Sequence, residues 1–565
     1  MLSIRKIGVI GRTYRNLNRY RQILAVLLKY GFGDLLELLK LDQYVAAGLQ
    51  LISKKQPIKV EKLTRPQGLR MALEELGPTY IKLGQILSTR PDLIPVDFLQ
   101  ELSKLQDKVP PFPAPAARKI IETELGAMLE NLFAQFDDTP LASASIGQVH
   151  RAQLQDGREV ALKVQRPGIQ KVIEVDLEIM LYLATLMEHH IEELAFHRPI
   201  KIVEEFARTL EKELDYLLEA ANMERAALNF SDDPSTCIPA VFRELSTTRV
   251  LTTECVKGIK VSNIEQLDVA GLDRKLITSR GADILLRMIF EHGFFQADPH
   301  PGNIFVLPDN VICLIDFGMV GSVDRQTRET FVDLLDGIIK KDASKVANVL
   351  LQITDWEEEP DSRAFEIDVT DFMAYHLFRP LKDIRIGKLL YNLLELASRH
   401  RLRIPPNIFL MMKSMTTVEG VARMLDPEFD LFSRAAPFIR SVLLERYSPQ
   451  RLSTDAFQMT ADLIKFTRRF PQDLLDIARL ARRQQLCLKI EDRGLERTLS
   501  THDQISNRLS FSIIIAALII GSALIVISEI PPLFYGISLI GIIGFTAAAL
   551  MGIWLLVAIL RKGRL

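Results

Sequence analysis

Asp298-Pro-His-Pro-Gly-Asn303, Ile304-Phe-Val-Leu307, Pro308-Asp-Asn310, Val311-Ile-Cys-Leu-Ile315 and Asp316-Phe317-Gly318 follow one another without a break. Two apolar runs flank a Pro-Asp-Asn bend, which predicts strand, turn, strand. Antiparallel pairing would bring Asn303, just before the first strand, beside Asp316, just after the second. Mg²⁺ takes oxygen ligands and is commonly held by one or two carboxylates plus substrate phosphates, so Asn303 and Asp316 are a candidate metal pair. Asp298 stands five residues ahead of Asn303 and is the candidate catalytic carboxylate. His300, between two prolines, is expected to hydrogen-bond within its own loop, because Asp298 already supplies a base.

A second hairpin lies upstream. Ser145–Leu154, the Asp156-Gly157 turn and Arg158–Gln165 read as strand, turn, strand. The period of two puts Val160, Leu162 and Val164 on one face and Ala161 with Lys163 on the other. A lysine beside a small residue on a cleft-facing strand gives a cation for phosphates and room for a base. Such a lysine needs an orienting carboxylate. On a continuous helix over 202–225, Asp215 and Glu219 share a face while Glu213 points elsewhere, so Glu219 is the expected partner. The nucleotide cover would be Ala142-Ser143-Ala144-Ser145-Ile146-Gly147-Gln148-Val149. It holds a single glycine and should be stiffer than a glycine-rich loop. Further strands are predicted over 238–243 and 248–256, and one helix over 268–292.

The Asp298-to-Asn303 interval is that of base and metal ligand in the protein-kinase catalytic loop. Together with Lys82-Leu-Gly-Gln85, the alanine-rich cover, Lys163, Glu213-Leu-Asp215, Glu219 and the Asp316 triplet, it resembles the UbiB/AarF family of atypical kinase-like proteins over roughly residues 60–440. The resemblance implies an α+β, bilobal atypical protein-kinase-like fold with an N-terminal helical extension. Lys82 and Gln85 of that extension would reach over the site, with Lys82 near Glu213 and Asp215. It also implies ATP and Mg²⁺ as ligands, ATPase or phosphotransferase chemistry, and a link to ubiquinone (coenzyme Q) biosynthesis. Membrane lipids, quinone precursors and other lipid-biosynthesis enzymes are the implied partners.

Both ends are unusual. Residues 1–30 carry Arg5, Lys6, Arg12, Arg15, Arg19, Arg21 and Lys29 and no acidic residue. That pattern fits a basic helix on an anionic bilayer or a helix packed on the protein itself. A secretory signal is not expected, for want of a long apolar core and a small-residue cleavage site. At the other end Leu509–Ile527 and Leu533–Leu560 are uncharged apolar runs, joined by Ser528-Glu-Ile-Pro-Pro532. Each is long enough to cross a ~30 Å hydrocarbon core, which predicts a C-terminal transmembrane helical hairpin. Arg508 before it and Arg561, Lys562 and Arg564 after it predict a cytoplasmic large domain, and the likeness of the paired spans to those of bacterial members of the resembled family implies the inner (plasma) membrane. Gly521, Gly541, Gly544 and Gly552 would let the two helices approach closely.

With 565 residues and a net charge of −1, the chain has room for several domains and no global attraction to nucleic acid. The four scattered cysteines, Cys237, Cys255, Cys313 and Cys487, form no zinc or disulfide framework and read as buried thiols. The expected organisation is basic N-terminal helices (1–59), helical extension (60–130), smaller lobe (131–260), larger lobe (261–450), charged juxtamembrane segment (451–508) and two spans (509–560). A lipid or small-molecule phosphotransferase would use the same site. A nucleotide-gated scaffold for biosynthetic enzymes is the alternative outside catalysis. A conventional protein kinase is disfavoured by the alanine-rich cover and the Lys82–Gln85 extension.

Overall fold

The alternation in Glu159–Gln165 organises a five-stranded sheet. Val160, Leu162 and Val164 are fully buried, whereas Ala161 and Lys163 stay half-open on the opposite face. β1 (Phe133–Phe136), β2 (Ala142–Ser143), β3 (Gly147–Leu154), β4 (Glu159–Gln165) and β6 (Val250–Glu254) make one antiparallel sheet. In it Lys163 is flanked by Val149 and Leu251. The computed structural model describes residues 17–38, 63–88, 94, 96–105, 110–190, 198–356, 359–377, 384–446, most of 448–471, 495–528, 531–534 and 537–562. Most of the predicted basic N-terminal helices, and residues 472–494 with Cys487, lie outside these.

A second sheet runs β5 (Thr236–Cys237), β10 (Val311–Leu314), β9 (Ile304–Leu307), β7 (Ile259–Lys260), with β5 parallel to β10 and the other pairs antiparallel. β8 (Phe294–Gln296) pairs with β11 (Val320–Ser322). The hairpin that the sequence predicts is therefore present, with Leu314 opposite Ile304. No strand forms over 238–243, which contributes an isolated bridge at Val241 and a short 3₁₀ turn at Arg243–Leu245. Pro239 has no N–H to give a ladder there.

Helices wrap these sheets. α1 (Leu17–Lys29), α2 (Arg65–Leu76) and α3 (Pro78–Leu87) lead into α4 (Ala114–Leu125), followed by α5 (Ile169–His190), α6 (Pro199–Glu213) and α7 (Tyr216–Asn229). Thr64 and Gln67 form a reciprocal capping box that starts α2. Gly77, at φ 98°, separates it from α3, which opens on Pro78. A left-handed or otherwise positive φ is a glycine conformation, so Gly77-Pro78 fixes where the chain turns. α1 settles one open reading: Tyr20, Ile23, Leu24 and Val26 are buried in a cluster with α2, α3, α5 and α6. Arg19 pairs with the fully buried Asp176 at 2.7 Å. The described part of the basic N-terminus packs on the protein itself.

The larger core gathers around α8 (Arg274–Arg287), α9 (Ile386–Arg399), α10 (Pro406–Leu425) and the helices between and after them. The helix predicted over 268–292 is interrupted, because Gly271 ends one short helix and Asp273 caps α8 through the N–H groups of Lys275 and Leu276. Phe317, fully buried in this core, ties the Asp316 triplet to it.

Residues Met1–Ser453 form one compact unit and Thr454–Leu565 another. The second contains α11 (Leu495–Ile527), β12 (Leu533–Phe534) paired with β13 (Ile537–Ser538), and α12 (Leu539–Lys562). Among the described residues one segment, Leu509–Ile527, is long and apolar enough to cross a membrane, and Leu539–Leu555 is a shorter apolar helix. The second apolar run thus starts its helix at Leu539 rather than at Leu533, because the first residues form the strand pair. Of the four glycines, Gly541 and Gly544 face α11, where a Cβ would collide with Val526 and Ser522; Gly521 and Gly552 face open space.

Candidate nucleotide site

Lys163 Nζ donates to both carboxylate oxygens of Glu219, at 2.7 and 2.8 Å. The pair lies in a cavity of about 100 Å³ that also takes in Lys82, the Ala144–Gly147 turn, Glu213, Tyr216, Gln296, Asp298, His300, Asn303, Asp316, Gly318 and Met319. Residues more than two hundred positions apart in the chain converge on it.

Local structure explains the aim of each group. β9 and β10 bring Asn303 Nδ2 to 3.5 Å from Asp316 Oδ2, and the Gly318 N–H holds Asp316 Oδ1 at 2.9 Å. Gln296 donates to the Asp316 carbonyl, and Ser414 of α10 donates to the Gln296 carbonyl at 2.8 Å. Asn222 of α7 donates to the Phe317 carbonyl at 3.1 Å, so the helix that carries Glu219 is fastened to the Asp316-Phe317-Gly318 segment. In the Asp298 loop, His300 Nδ1 accepts the Gly302 N–H at 2.9 Å, the local role expected of it. Asp298 Oδ2 lies 3.6 Å from Lys413 Nζ.

Charge in the cavity is unbalanced. Glu213, Glu219, Asp298 and Asp316 face Lys82 and Lys163, with Lys413 beside Asp298. Burial works against the Lys163 ammonium, yet Glu219 and then Asp316 more than reverse it and hold its pKa above the ordinary range. Burial pushes Glu219 up, Lys163 pulls it partly back, and Asp316 adds to the rise. For Asp316 burial is outweighed by Lys163, the Gly318 N–H and Lys82, so it stays below the usual aspartate range. This excess of carboxylate fits a cation. Among the described residues no group of three or more His, Cys, Asp or Glu could hold one alone. A metal held by Asn303 and Asp316 would therefore complete its shell from substrate oxygens, as Mg²⁺ commonly does.

Against that geometry the comparisons are decisive. Residues 104–350 match the ABC1 atypical kinase-like domain, 369–430 the UbiB helical domain and 493–561 the ABC1/UbiB kinase-like C-terminal domain. A protein of Aliivibrio fischeri named "Probable protein kinase UbiB" is 38% identical over 450 residues, 78% of this chain and 82% of that one. The chain belongs to the UbiB family. Its fold is accordingly the atypical kinase-like ABC1 fold, mixed helix and sheet. An uncharacterized Clostridium pasteurianum protein from a hydrogenase 1 5′ region is similar over nearly the whole length, 31% identical across 97% of this chain and 99% of its own. A solved Mycobacterium tuberculosis chain, titled as a complex of Rv3197 with erythromycin, aligns at 26% identity with a TM-score of 0.45, over 68% of this chain and 95% of that one.

In this UbiB-family site the helix reading needs correction. The 202–225 segment is broken: α6 ends at Glu213, and Asp215 caps α7 by accepting the Leu217 N–H at 3.0 Å. Asp215 and Glu219 thus do not share a face. Glu213 turns into the cavity and pairs with Lys82 at 2.8 Å, both largely buried. Gln165, at the end of β4, donates to the Leu214 and Thr248 carbonyls and takes up the backbone freed by the break. Gln85 donates to the Leu105 carbonyl at 3.4 Å and does not line the cavity.

The cover residues divide. Ala144, Ser145, Ile146 and Gly147 line the cavity; Ala142, Ser143, Gln148 and Val149 do not. Gln148 is buried against Phe112 and His150. Gly147 is demanded by close approach, since a Cβ would sit 2.5 Å from the Tyr216 hydroxyl and 2.6 Å from the Val164 carbonyl. Arg166 clamps the turn: it donates to the Ala144 carbonyl at 3.0 Å, to Ser143 Oγ at 2.9 Å and to the Pro110 carbonyl at 2.9 Å. Sequence reasoning missed Arg166, Tyr216, Gln296 and Lys413. Tyr216 directly follows Asp215, and its ring lies 5.3 Å from the Lys163 ammonium. The expectation of four buried thiols also changes: Cys313 is buried, but Cys237 and Cys255 are only half-buried.

Proposed function

We propose that the chain binds Mg²⁺-ATP in the Lys163–Asp316 cavity and hydrolyses it or transfers its γ-phosphoryl group, in support of ubiquinone or a related isoprenoid-lipid pathway at a membrane. The observation that carries this is the convergence of the Lys163–Glu219 pair with Asp298, Asn303 and Asp316 on one carboxylate-rich cavity. Lys163 contacts the α/β-phosphates while Glu219 holds its ammonium. Asn303 and Asp316 hold the metal, which supplies neutralisation of charge on the phosphate oxygens. Asp298 orients the attacking oxygen, of water or of a substrate hydroxyl, and takes its proton.

The cavity, about 100 Å³, is smaller than the roughly 300–1,000 Å³ of ligand pockets. Nucleotide entry therefore opens the Arg166-clamped turn and the Lys82–Glu213 pair. Lys82, Gln85, Glu213 and Asp215 act here as regulatory residues, Gln85 by holding the helix that carries Lys82 and Asp215 by capping α7 just past the break that turns Glu213 into the cavity. This closure is also what favours the second reading, a nucleotide-gated scaffold that organises partner enzymes without turnover. The pathway rests on family membership. Membrane attachment rests on Leu509–Ile527, with the Leu539–Leu555 helix as the second member of a hairpin and the kinase-like unit on the cytoplasmic side of the inner membrane.

The test is Asp316→Asn in the full-length chain. Wild type should bind ATP at least tenfold more tightly with Mg²⁺ than without, and the variant should lose that dependence. A variant that keeps it removes Asp316 from the metal site. Quinone profiling of a deletion strain then separates the readings: turnover is required if Asp298→Asn fails to restore quinone, and the scaffold stands if it succeeds.

A further inference from the structure

A second cavity, of about 680 Å³, lies along α9, α10 and the Val96–Leu102 helix. Its volume falls in the usual ligand range of roughly 300–1,000 Å³, unlike that of the nucleotide cavity. The two cavities share walls. α3 lends Lys82 to the first and is followed at once by Ser88, which lines the second. Lys413 of α10 lines the second and reaches to 3.6 Å from Asp298 of the first.

The lining has a chemical sense. Leu99, Tyr391 and Met424 give it an apolar body. Arg385, Lys388, Lys413 and Arg423 face it against Glu395 and Glu419. Both carboxylates are already engaged. Glu419 accepts the Ile386 and Gly387 N–H groups at 3.1 and 2.8 Å and lies 3.4 Å from Arg423 Nε; Glu395 pairs with Arg399 at 2.7 Å. The surplus is positive. We propose that this cavity binds a single-chain amphiphile with a carboxylate or phosphate head, the head meeting Lys413 and the chain lying against Tyr391 and Met424. Such a head competes with Asp298 for Lys413, so occupancy is coupled to the neighbouring site; that coupling, but not the binding, rests on the nucleotide reading.

Gly420 makes the proposal testable. Thr416, Thr417, Arg423 and Met424, its helical neighbours at three and four positions, all line the cavity. A Cβ at Gly420 meets nothing within 4 Å. Gly420→Phe therefore adds bulk at the cavity wall from a Cβ position that meets no neighbour. The full-length chain, held in amphipol, is labelled with dodecanoic acid bearing a terminal diazirine, or with the corresponding alcohol, and cross-links are mapped by mass spectrometry. The acid should label residues 385–424, with lauryl phosphate competing and the alcohol labelling at least fivefold less. Gly420→Phe should cut the labelling at least tenfold, and Lys413→Met at least threefold. Equal labelling of Gly420→Phe and wild type, or equal labelling by alcohol and acid, overturns the proposal. No nucleotide is present in this experiment, so its failure and that of the nucleotide reading are separately visible.

Discussion

Glu219→Gln tests the centre of the site, because it removes one charge and almost no volume. Glu219 is 5% exposed and holds Lys163 through two hydrogen bonds. Removing one member of a buried ion pair costs about 3–5 kcal/mol when the survivor is left alone. Lys163 is not left alone, since Asp316 also acts on its charge, so the lower end applies. About 3 kcal/mol is the stability the nucleotide-free chain should lose, read by chemical denaturation, and with the ammonium no longer aimed by Glu219, Mg²⁺-ATP binding by titration calorimetry should weaken at least tenfold. The pH dependence supplies a second check. A carboxyl with a raised folded pKa favours its protonated form: it contributes stability below its unfolded pKa that is lost as pH rises through the folded one. The empty site thus gains from acid while the lysine hook is undone by it. Nucleotide affinity should fall on acidification with a midpoint above the ordinary glutamate value of about 4.3, and Glu219→Gln should flatten that limb. Asp316 is held below the usual aspartate range, burial being outweighed by Lys163, the Gly318 N–H and Lys82. Affinity within threefold of wild type, or an unchanged acid limb in the variant, refutes the reasoning.

Asp298→Asn should lower ATP turnover at least a hundredfold while Mg²⁺-ATP affinity stays within threefold; unchanged hydrolysis takes Asp298 out of the chemistry. Arg166→Ala removes the clamp on the Ala144 carbonyl and Ser143 hydroxyl, and amide exchange over 142–147 should quicken at least tenfold with the rest of β3 unaffected. Gly147→Ala forces a methyl onto the Tyr216 hydroxyl and the Val164 carbonyl; a loss of about 1–3 kcal/mol is expected from such overpacking, read as a lower unfolding temperature. Lys82→Met leaves Glu213 facing the cavity without its ammonium partner, and should destabilise the nucleotide-free chain by about 3 kcal/mol, less once Mg²⁺ is added.

What could be read in advance was what the chain's own periods dictate. Two-residue alternation put Lys163 on the open face of β4, and the apolar-turn-apolar order between Asn303 and Asp316 made their hairpin. The failures came where a tertiary partner decided. Glu213-Leu-Asp215 sits inside a run with helical character on both sides, and a continuous helix would have pointed Glu213 away. The break depends on Gln165, some fifty positions earlier, which catches the Leu214 carbonyl that the helix gives up. Asp215 then finds the Leu217 N–H, and an acidic residue in the middle of a helix becomes a cap. Arg166 and Lys413 are hidden for the same reason: each is an ordinary basic residue in the sequence and acquires its role from the Ala144 turn or from Asp298. The break also has a mechanical consequence. Glu213 ends α6, and Glu219 rides on α7, which is fastened to the Asp316 segment through Asn222. The Lys82–Glu213 pair thus joins α3 to α6 and the Lys163–Glu219 pair joins β4 to α7, so the break puts the two buried ion pairs on different elements.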